Sequence, residues 1–248
     1  MKINKLYIGI ILVIVSGIII YNINMNNKGE LEKNIVDENR IYETYDKQKD
    51  IPVISEANLK ELDMWYLILV NRNNKIPEDY TFETKKIDSI REFDSRAIDY
   101  LLDMINDARK SGVGSIWAQS TYRSIDRQKQ LVENSIKKYM NQGYSKEEAE
   151  EKTYNEINPV GTSEHNLGLA VDFNTITDEF ENTKAFKWLQ ENAENYGFIL
   201  RYPKDKVDIT MVKYESWHYR YVTKEHAVKM NDLGMCLEEY IEYLKGNI

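Results

Sequence analysis

Cysteine is all but missing from this chain. Its 248 residues include one, Cys236, which excludes an intrachain disulfide framework and any zinc site built from several thiolates. Cys236 lies beside the apolar face of a helical pattern at the C-terminus, where a small buried hydrophobe is the expected role. Positive charge is in deficit as well: 33 Lys and Arg against 41 Asp and Glu give a net charge of -8. That balance argues against nucleic acid, whose binders need a basic footprint. It also gives no support for anionic lipid or wall polymers as the main docking surface. No helical stretch contains the H-E-x-x-H pair of metal ligands, so the common helical zinc-protease motif is absent. Histidine itself is scarce, with three in the chain, and two of these fall in unusual surroundings.

Long hydrophobic runs are limited to one. Lys2 and Lys5 precede Leu6 to Ile20, and basic residues before an apolar segment hold the N-terminus inside and send the following chain outward. Neither a small-residue cleavage site nor a lipobox cysteine follows, so residues 1–23 are expected to act as an uncleaved signal anchor. The expected location is the cell membrane, as a single-pass protein with its domain on the extracytoplasmic side. Cleavage would instead give a secreted form. Residues 24–56 are rich in Asn, Lys, Glu and Asp without a sustained period, a composition that buries too little to offset its ordering entropy. They are expected to be a polar spacer. Residues 57–248 then form a single domain, expected to be monomeric.

Within that domain Trp65–Val70 is a short apolar run that reads as a buried strand. A helical pattern opens at Phe93 and carries Ala97, Leu101, Met104, Ile105 and Ala108 at intervals of three and four, ending at Gly112 and Gly114. Ser115–Ser120 reads as a strand. Ser124 is placed to cap a helix running to about Asn141, and Ser145 with Glu148 has the capping-box spacing. Phe186, Leu189 and Ala193 make a helical stripe closed by Gly197. Strands are expected at Phe198–Tyr202, Asp208–Tyr214 and Trp217–Val222, and helices near Lys224–Leu233 and Leu237–Leu244. Helices first and strands clustered late give an α+β fold with a small, mostly antiparallel sheet flanked by helices.

Two stretches carry the chemistry. Gly161-Thr-Ser-Glu-His-Asn-Leu-Gly-Leu-Ala-Val-Asp-Phe173 puts His165 and Asp172 seven positions apart, with Gly168 as the break that lets a loop histidine and a strand aspartate converge. Glu215-Ser-Trp-His218 adds a second histidine with a carboxylate three positions before it. His165, Asp172 and His218 would give one zinc ion three protein ligands and an open fourth position for water. Glu215 is then free to act as general base on that water. In a regular strand Glu215 and His218 would face opposite sides, so the backbone has to bend at Ser216-Trp217. The bland alternatives remain: a histidine is more often a core residue, and Asp172 could make local backbone bonds at a strand end. His226, in Lys224-Glu-His-Ala, is expected on a helix surface. Glu164 is the rival base, set aside because adjacent extended residues point apart. Arg123 could face a polarised carbonyl or a terminal carboxylate, or equally be a surface arginine.

Four ordered motifs carry a family resemblance. They are Ser120-Thr-Tyr-Arg-Ser124 with Gln128, the Gly161–Asp172 stretch, Gly197-Phe-Ile-Leu-Arg-Tyr-Pro203 and Glu215-x-Trp-His-Tyr-Arg-Tyr-Val222. From roughly Leu62 to Leu244 the chain resembles the VanY-type D-alanyl-D-alanine carboxypeptidases, of the zinc peptidase group that includes VanX dipeptidases and the hedgehog domain. The resemblance implies one Zn2+ per chain on His165, Asp172 and His218, with Glu215 as base. Arg123 would stabilise the carbonyl as it becomes an oxyanion, and Ser163 and Gln128 would help hold the substrate's C-terminal end. The implied substrate is the peptidoglycan stem peptide, trimmed of its last D-alanine. An L,D-carboxypeptidase, an endopeptidase, or a catalytically silent wall-binding module that keeps its zinc are the alternatives. The chain departs from the usual pattern at Val160, inserted between Pro159 and Gly161; at Ser216, where proline is usual; and at Thr223, where glycine often stands. None of these is a proposed ligand or base.

Overall fold

The computed structural model describes residues 64–246, all within one compact unit, Val53–Ile248. The expected anchor, 1–23, and spacer, 24–56, lie outside the described residues. Among the described residues no helix is long and apolar enough to cross a membrane.

A two-stranded antiparallel ribbon, β1 (Thr84–Lys86) and β2 (Glu92–Asp94), comes first. Helix α1 (Ile98–Lys110), strand β3 (Ala118–Ser120) and helices α2 (Ile125–Asn141) and α3 (Lys146–Tyr154) follow. Then come β4 (Ala170–Phe173), α4 (Lys184–Asn192), β5 (Phe198–Leu200), β6 (His218–Tyr221), α5 (Lys224–Leu233) and α6 (Leu237–Leu244). The main sheet is antiparallel throughout, in the order β3-β4-β6-β5. The α+β architecture with a small antiparallel sheet and flanking helices is therefore as the sequence pattern indicates.

Side chains alternate across a strand, and here both faces are buried. Val171 and Phe173 of β4, Tyr219 and Tyr221 of β6 and Phe198 of β5 join the core with Leu101, Met104 and Ile105 of α1 and Phe186 and Leu189 of α4. Asp172, His218 and Arg220 have the opposite parity, so the second face of the sheet carries the polar groups. The helix ends form where their capping residues stand: the Ser124 hydroxyl accepts from the Arg127 N–H, and Ser145 and Glu148 close a reciprocal capping box.

Four sequence expectations are corrected. Trp65–Val70 is not a strand; Trp65–Leu67 form a single 3-10 turn. Among the described residues the run has no sheet neighbour, and the carbonyls of Tyr66 and Ile68 instead accept from Arg220 Nη2 at 3.0 Å each. Phe93 does not open a helix but sits in β2, fully buried, and packs on Phe198 with ring centroids 6.2 Å apart. Asp208–Tyr214 is not a strand either. Val207–Thr210 make one helical turn, stopped by Met211 in the left-handed region, and the alternating Val207, Ile209 and Met211 side chains are exposed. His226 is not on a surface: it is buried, with Nδ1 2.8 Å from the Tyr240 hydroxyl. The charged residues beside it, Lys224 and Glu225, belong to the helix's other side, while His226, Ala227 and Met230 share the buried one.

Gly168 is the hinge on which β4 enters the sheet. It ends the 3-10 turn Glu164–Leu167 at φ +72°, its carbonyl accepts from Asp94 N, and a Cβ there would run into the Phe82 ring. Gly168→Ala therefore combines a left-handed backbone penalty with overpacking, and should lower stability by about 2 kcal/mol or more. Denaturant midpoints of the two proteins measure this.

Candidate metal centre

His165 stands on the 3-10 turn Glu164–Leu167, which the left-handed Gly168 closes before β4 begins. Asp172 and His218 are directly opposed across the β4–β6 ladder, and paired residues share a face. The backbone turns back at Glu215–His218, where the His218 N–H donates to the Glu215 carbonyl at 3.2 Å. That turn brings Glu215 Oε2 to 3.6 Å from His218 Nδ1. The four side chains thus meet although three separate segments supply them.

The donor atoms converge. Asp172 Oδ2 is 3.1 Å from His165 Nε2, and Asp172 Oδ1 is 2.9 Å from His218 Nδ1. One donor atom from each of the three residues lies within 4.8 Å of the others, and all three residues are buried. Zinc bonds of about 2.0–2.2 Å place neighbouring donors roughly 3.3 Å apart, close to the two Asp172–histidine separations of 3.1 and 2.9 Å. The outer ring nitrogens sharpen the fit. His165 Nδ1 is 2.7 Å from the Thr121 carbonyl, which can only accept, so that nitrogen carries the proton and Nε2 presents a lone pair inward. His218 Nε2 is 3.4 Å from Glu164 Oε2, which likewise directs Nδ1 inward. The chain's own residues therefore suit a small divalent cation.

The electrostatics separate the two histidines. Burial lowers the His165 pKa. Burial also acts against charge on His218, but hydrogen bonds to Asp172 and Glu164 outweigh it and raise its pKa to about 10. Their surroundings thus favour a proton on His218 over one on His165. Burial disfavours the charged Asp172, yet both histidines hold its carboxyl well below the usual range. Burial raises Glu215 to about 7, because His218 and Arg123 only partly offset the lost hydration and the nearby Asp172 and Glu164.

Arg123 and Ser163 lie beside this cluster. Arg123 Nη2 donates to Ser163 Oγ at 3.2 Å, and the Arg123 N–H donates to the His165 carbonyl at 3.0 Å. Asn166 Nδ2 anchors the Arg123 carbonyl at 2.6 Å, while Arg123 Nε is buried without a partner. Gln128 is fully buried on α2; its Nε2 donates to the Asn158 carbonyl and its Oε1 has no partner. It thus braces the loop leading to Ser163 from beneath.

The sequence reading considered Glu164 only as a rival base, and missed its position here. It is wholly buried, accepting at Oε1 from Arg201 Nε at 2.7 Å and Arg220 Nη1 at 2.9 Å. The two arginines overcome burial and keep its carboxyl far below the ordinary range. Tyr202 was also missed; its ring packs on His218 with centroids 4.8 Å apart. The available signal was the pair of arginines in the Gly197–Pro203 and Glu215–Val222 motifs, whose buried charges require a carboxylate partner.

An α+β domain with two histidines and an aspartate on one sheet face, and a carboxylate alongside, is the arrangement of a single-zinc peptidase. Residues 91–224 match the family model for VanY, D-alanyl-D-alanine carboxypeptidase. The chain is 42% identical over 177 residues to a D-alanyl-D-alanine carboxypeptidase of Enterococcus faecalis, covering 71% of this chain and 66% of that one. With a Bacillus subtilis relative the covered share is 68%, so the chain spans about two thirds of the length of these curated relatives. Among solved structures it is similar to the vancomycin-resistance D,D-pentapeptidase VanY of a VanB-type cassette in complex with Zn(II). There the identity is 41%, the TM-score 0.63, and the match covers 71% of this chain and 99% of that one. The same relative in complex with D-alanine-D-alanine gives 41% identity and a TM-score of 0.64 over 72% and 98%. The LD-carboxypeptidase LdcB is 36% identical, with a TM-score of 0.60 over 70% and 84%. The chain belongs to the VanY family, and zinc is the metal its three donors fit.

Because Asp172 and Glu164 favour the protonated form of His218, zinc uptake at its Nδ1 should displace a proton. Titration calorimetry at pH 8 in two buffers of different ionisation enthalpy should show about one proton released per zinc. Over the range below His218's raised pKa of about 10, affinity should therefore fall as pH falls.

Proposed function

We propose that this protein is an extracytoplasmic zinc D,D-carboxypeptidase that removes the terminal D-alanine from peptidoglycan stem peptides. The observation that carries the reading is Glu215: a partly buried carboxylate raised to about 7, 3.6 Å from His218 Nδ1, beside the three-donor cluster. Membership of the VanY family and the likeness to a VanY solved with D-alanine-D-alanine support the substrate class. The proposed location rests on Lys2, Lys5 and the apolar run from Leu6 to Ile20, read as a signal anchor with the domain outside.

Bound zinc would supply Lewis-acid polarisation and a water of lowered pKa, near 7 in such sites. His165, Asp172 and His218 would hold it, each histidine fixed by the acceptor on its outer nitrogen. Glu215 accepts a proton from the attacking water and returns it to the departing amine, a task for a group whose pKa lies close to the working pH. Arg123 is placed to donate to the negative charge that develops on the scissile carbonyl, and its link to Ser163 fixes the guanidinium. Ser163 contributes to holding the substrate's terminal carboxylate. Gln128 acts through the Asn158 loop rather than by touching substrate, since its side chain is fully buried. Water excluded from this buried corner strengthens each of these contacts.

The L,D-reading is favoured by the likeness to solved L,D-carboxypeptidases, LdcB at 36% identity among them, against 41–42% to the D,D-acting relatives. Incubating the purified full-length chain with stem pentapeptide and tetrapeptide, followed by mass spectrometry, separates the two. Loss of a single D-alanine from the pentapeptide alone is expected. Loss only from the tetrapeptide would shift the assignment, and no loss from either with zinc bound would refute both. Glu215→Gln should lower kcat by about 10^2–10^4-fold with zinc still bound, and Arg123→Ala by about 10^2–10^3-fold.

The pH dependence follows from the sign of the Glu215 shift. The base must be deprotonated, so kcat/KM falls as pH drops through its pKa. A cation alongside favours the carboxylate, so the acid limb should lie below the metal-free value of about 7.

A further inference from the structure

We propose that Glu238, on the first turn of α6, is a positioning residue for the metal centre, acting through Arg201 and Glu164 on the His218 ring. The inference rests on reading His165, Asp172 and His218 as the zinc ligands. Glu164 Oε1 is taken twice, by Arg201 Nε at 2.7 Å and Arg220 Nη1 at 2.9 Å, which leaves Oε2 for His218 Nε2 at 3.4 Å. Arg201 can serve Oε1 with Nε alone because its other end is engaged elsewhere. Nη1 donates to Glu238 Oε2 at 2.8 Å and Nη2 to Glu238 Oε1 at 2.6 Å. This two-point contact fixes the guanidinium plane.

Charge balance makes the same demand. Arg201 and Arg220 are fully buried, and their two positive charges are matched by Glu164 and Glu238. Without Glu238 the cluster would carry one net positive charge, one hydrogen bond removed from a ligand of a dication. Arg201 would then be free to swing onto Glu164 Oε2 and take the acceptor that orients His218.

Glu238 is itself held rigidly. Asn71 Nδ2 donates to its Oε1 at 3.2 Å, Glu239 caps the Cys236 N–H at 2.9 Å, and Leu237, Tyr240, Ile241 and Leu244 root α6 in the interior. Both Asn71 and Glu238 lie outside residues 91–224, the stretch matched by the family model. The flanks of this chain therefore close around the metal centre's support. A purely structural ion pair that anchors the C-terminal helix is the competing account, and zinc affinity distinguishes the two.

The test is zinc affinity of the full-length chain, purified in detergent, by competition with a chromogenic chelator, together with the visible spectrum of the Co(II)-substituted protein. Glu238→Gln should raise the zinc Kd about 10-fold or more, in the range seen when outer partners of metal ligands are lost, and shift the Co(II) bands. Glu238→Asp, which restores the charge, should recover part of the affinity. An unchanged Kd and Co(II) spectrum in a folded Glu238→Gln protein would overturn the proposal, whether or not its Tm falls. Should that variant fail to fold, Asn71→Ser loosens Glu238 while keeping its charge; a raised Kd supports the proposal and an unchanged one overturns it. Absence of zinc binding by the unaltered chain would remove the metal reading itself, a distinct outcome.

Discussion

The pairing of β4 with β6 is the constraint on which the rest depends. Asp172 opposes His218 in that ladder, so the two donors stand side by side only in this register. A slip of one residue would send each to the other face of the sheet. What prevents the slip lies on the far side of the strands. Val171, Phe173, Tyr219 and Tyr221 are all buried in the core, and each apolar or aromatic side chain of this size contributes about 1.5–3 kcal/mol on burial. Exchanging them for an aspartate, a histidine and an arginine would cost far more than a metal ligand could return. Packing behind the sheet thus fixes the geometry in front of it.

That front face holds charges that would be ruinous singly. Asp172, Glu164 and Glu215 sit among Arg123, Arg201, Arg220 and two histidines, most of them buried. Breaking a buried pair costs about 3–5 kcal/mol because the survivor is left uncompensated. The two glutamates show how neighbours divide the labour. Glu164 is flanked by Arg201 and Arg220 and stays ionised. Glu215 has no direct arginine contact, so burial dominates and lifts it to about 7. One carboxylate is fit only to orient and the other is poised to take a proton, which is how a single chemistry serves two roles. Glu164 is thus unsuited as a base because its charge is locked in place, a stronger reason than the direction in which an extended chain would point it.

Much of this was legible from the sequence, where periodicity or a specific residue decides the local structure. The caps at Ser124 and Ser145, the left-handed Gly168 and the amphipathic helices 224–233 and 237–244 follow from short-range rules. The candidates His165, Asp172, Glu215, His218, Arg123 and Ser163 come together in space, and the roles given to them belong to the proposed function. What could not be read was decided by partners far away in sequence. Trp65–Leu67 turn rather than pair in a sheet because Arg220 donates to the carbonyls of Tyr66 and Ile68. His226 is buried because Tyr240, on another helix, faces it. Glu238 carries no motif, and only the fold shows that it reaches Arg201. Periodicity contains no information about these contacts.

The turn at Ser216 shows how such distant contacts replace a local device. Where the family usually has proline, which presets φ for a turn, this chain has a fully buried serine that presets none. The backbone compensates on both sides. The Glu215 N–H donates to the Tyr202 carbonyl at 3.1 Å, the His218 N–H to the Glu215 carbonyl at 3.2 Å, and the Phe173 N–H to the Trp217 carbonyl at 3.0 Å. One hydrogen bond inside the turn and one to each of two neighbouring segments hold the bend that a ring would otherwise favour. Glu215 and His218 consequently depend on the strands around them rather than on the residue between them. The proposed base and the proposed ligand beside it are thus set by the same β4–β6 ladder that pairs Asp172 with His218.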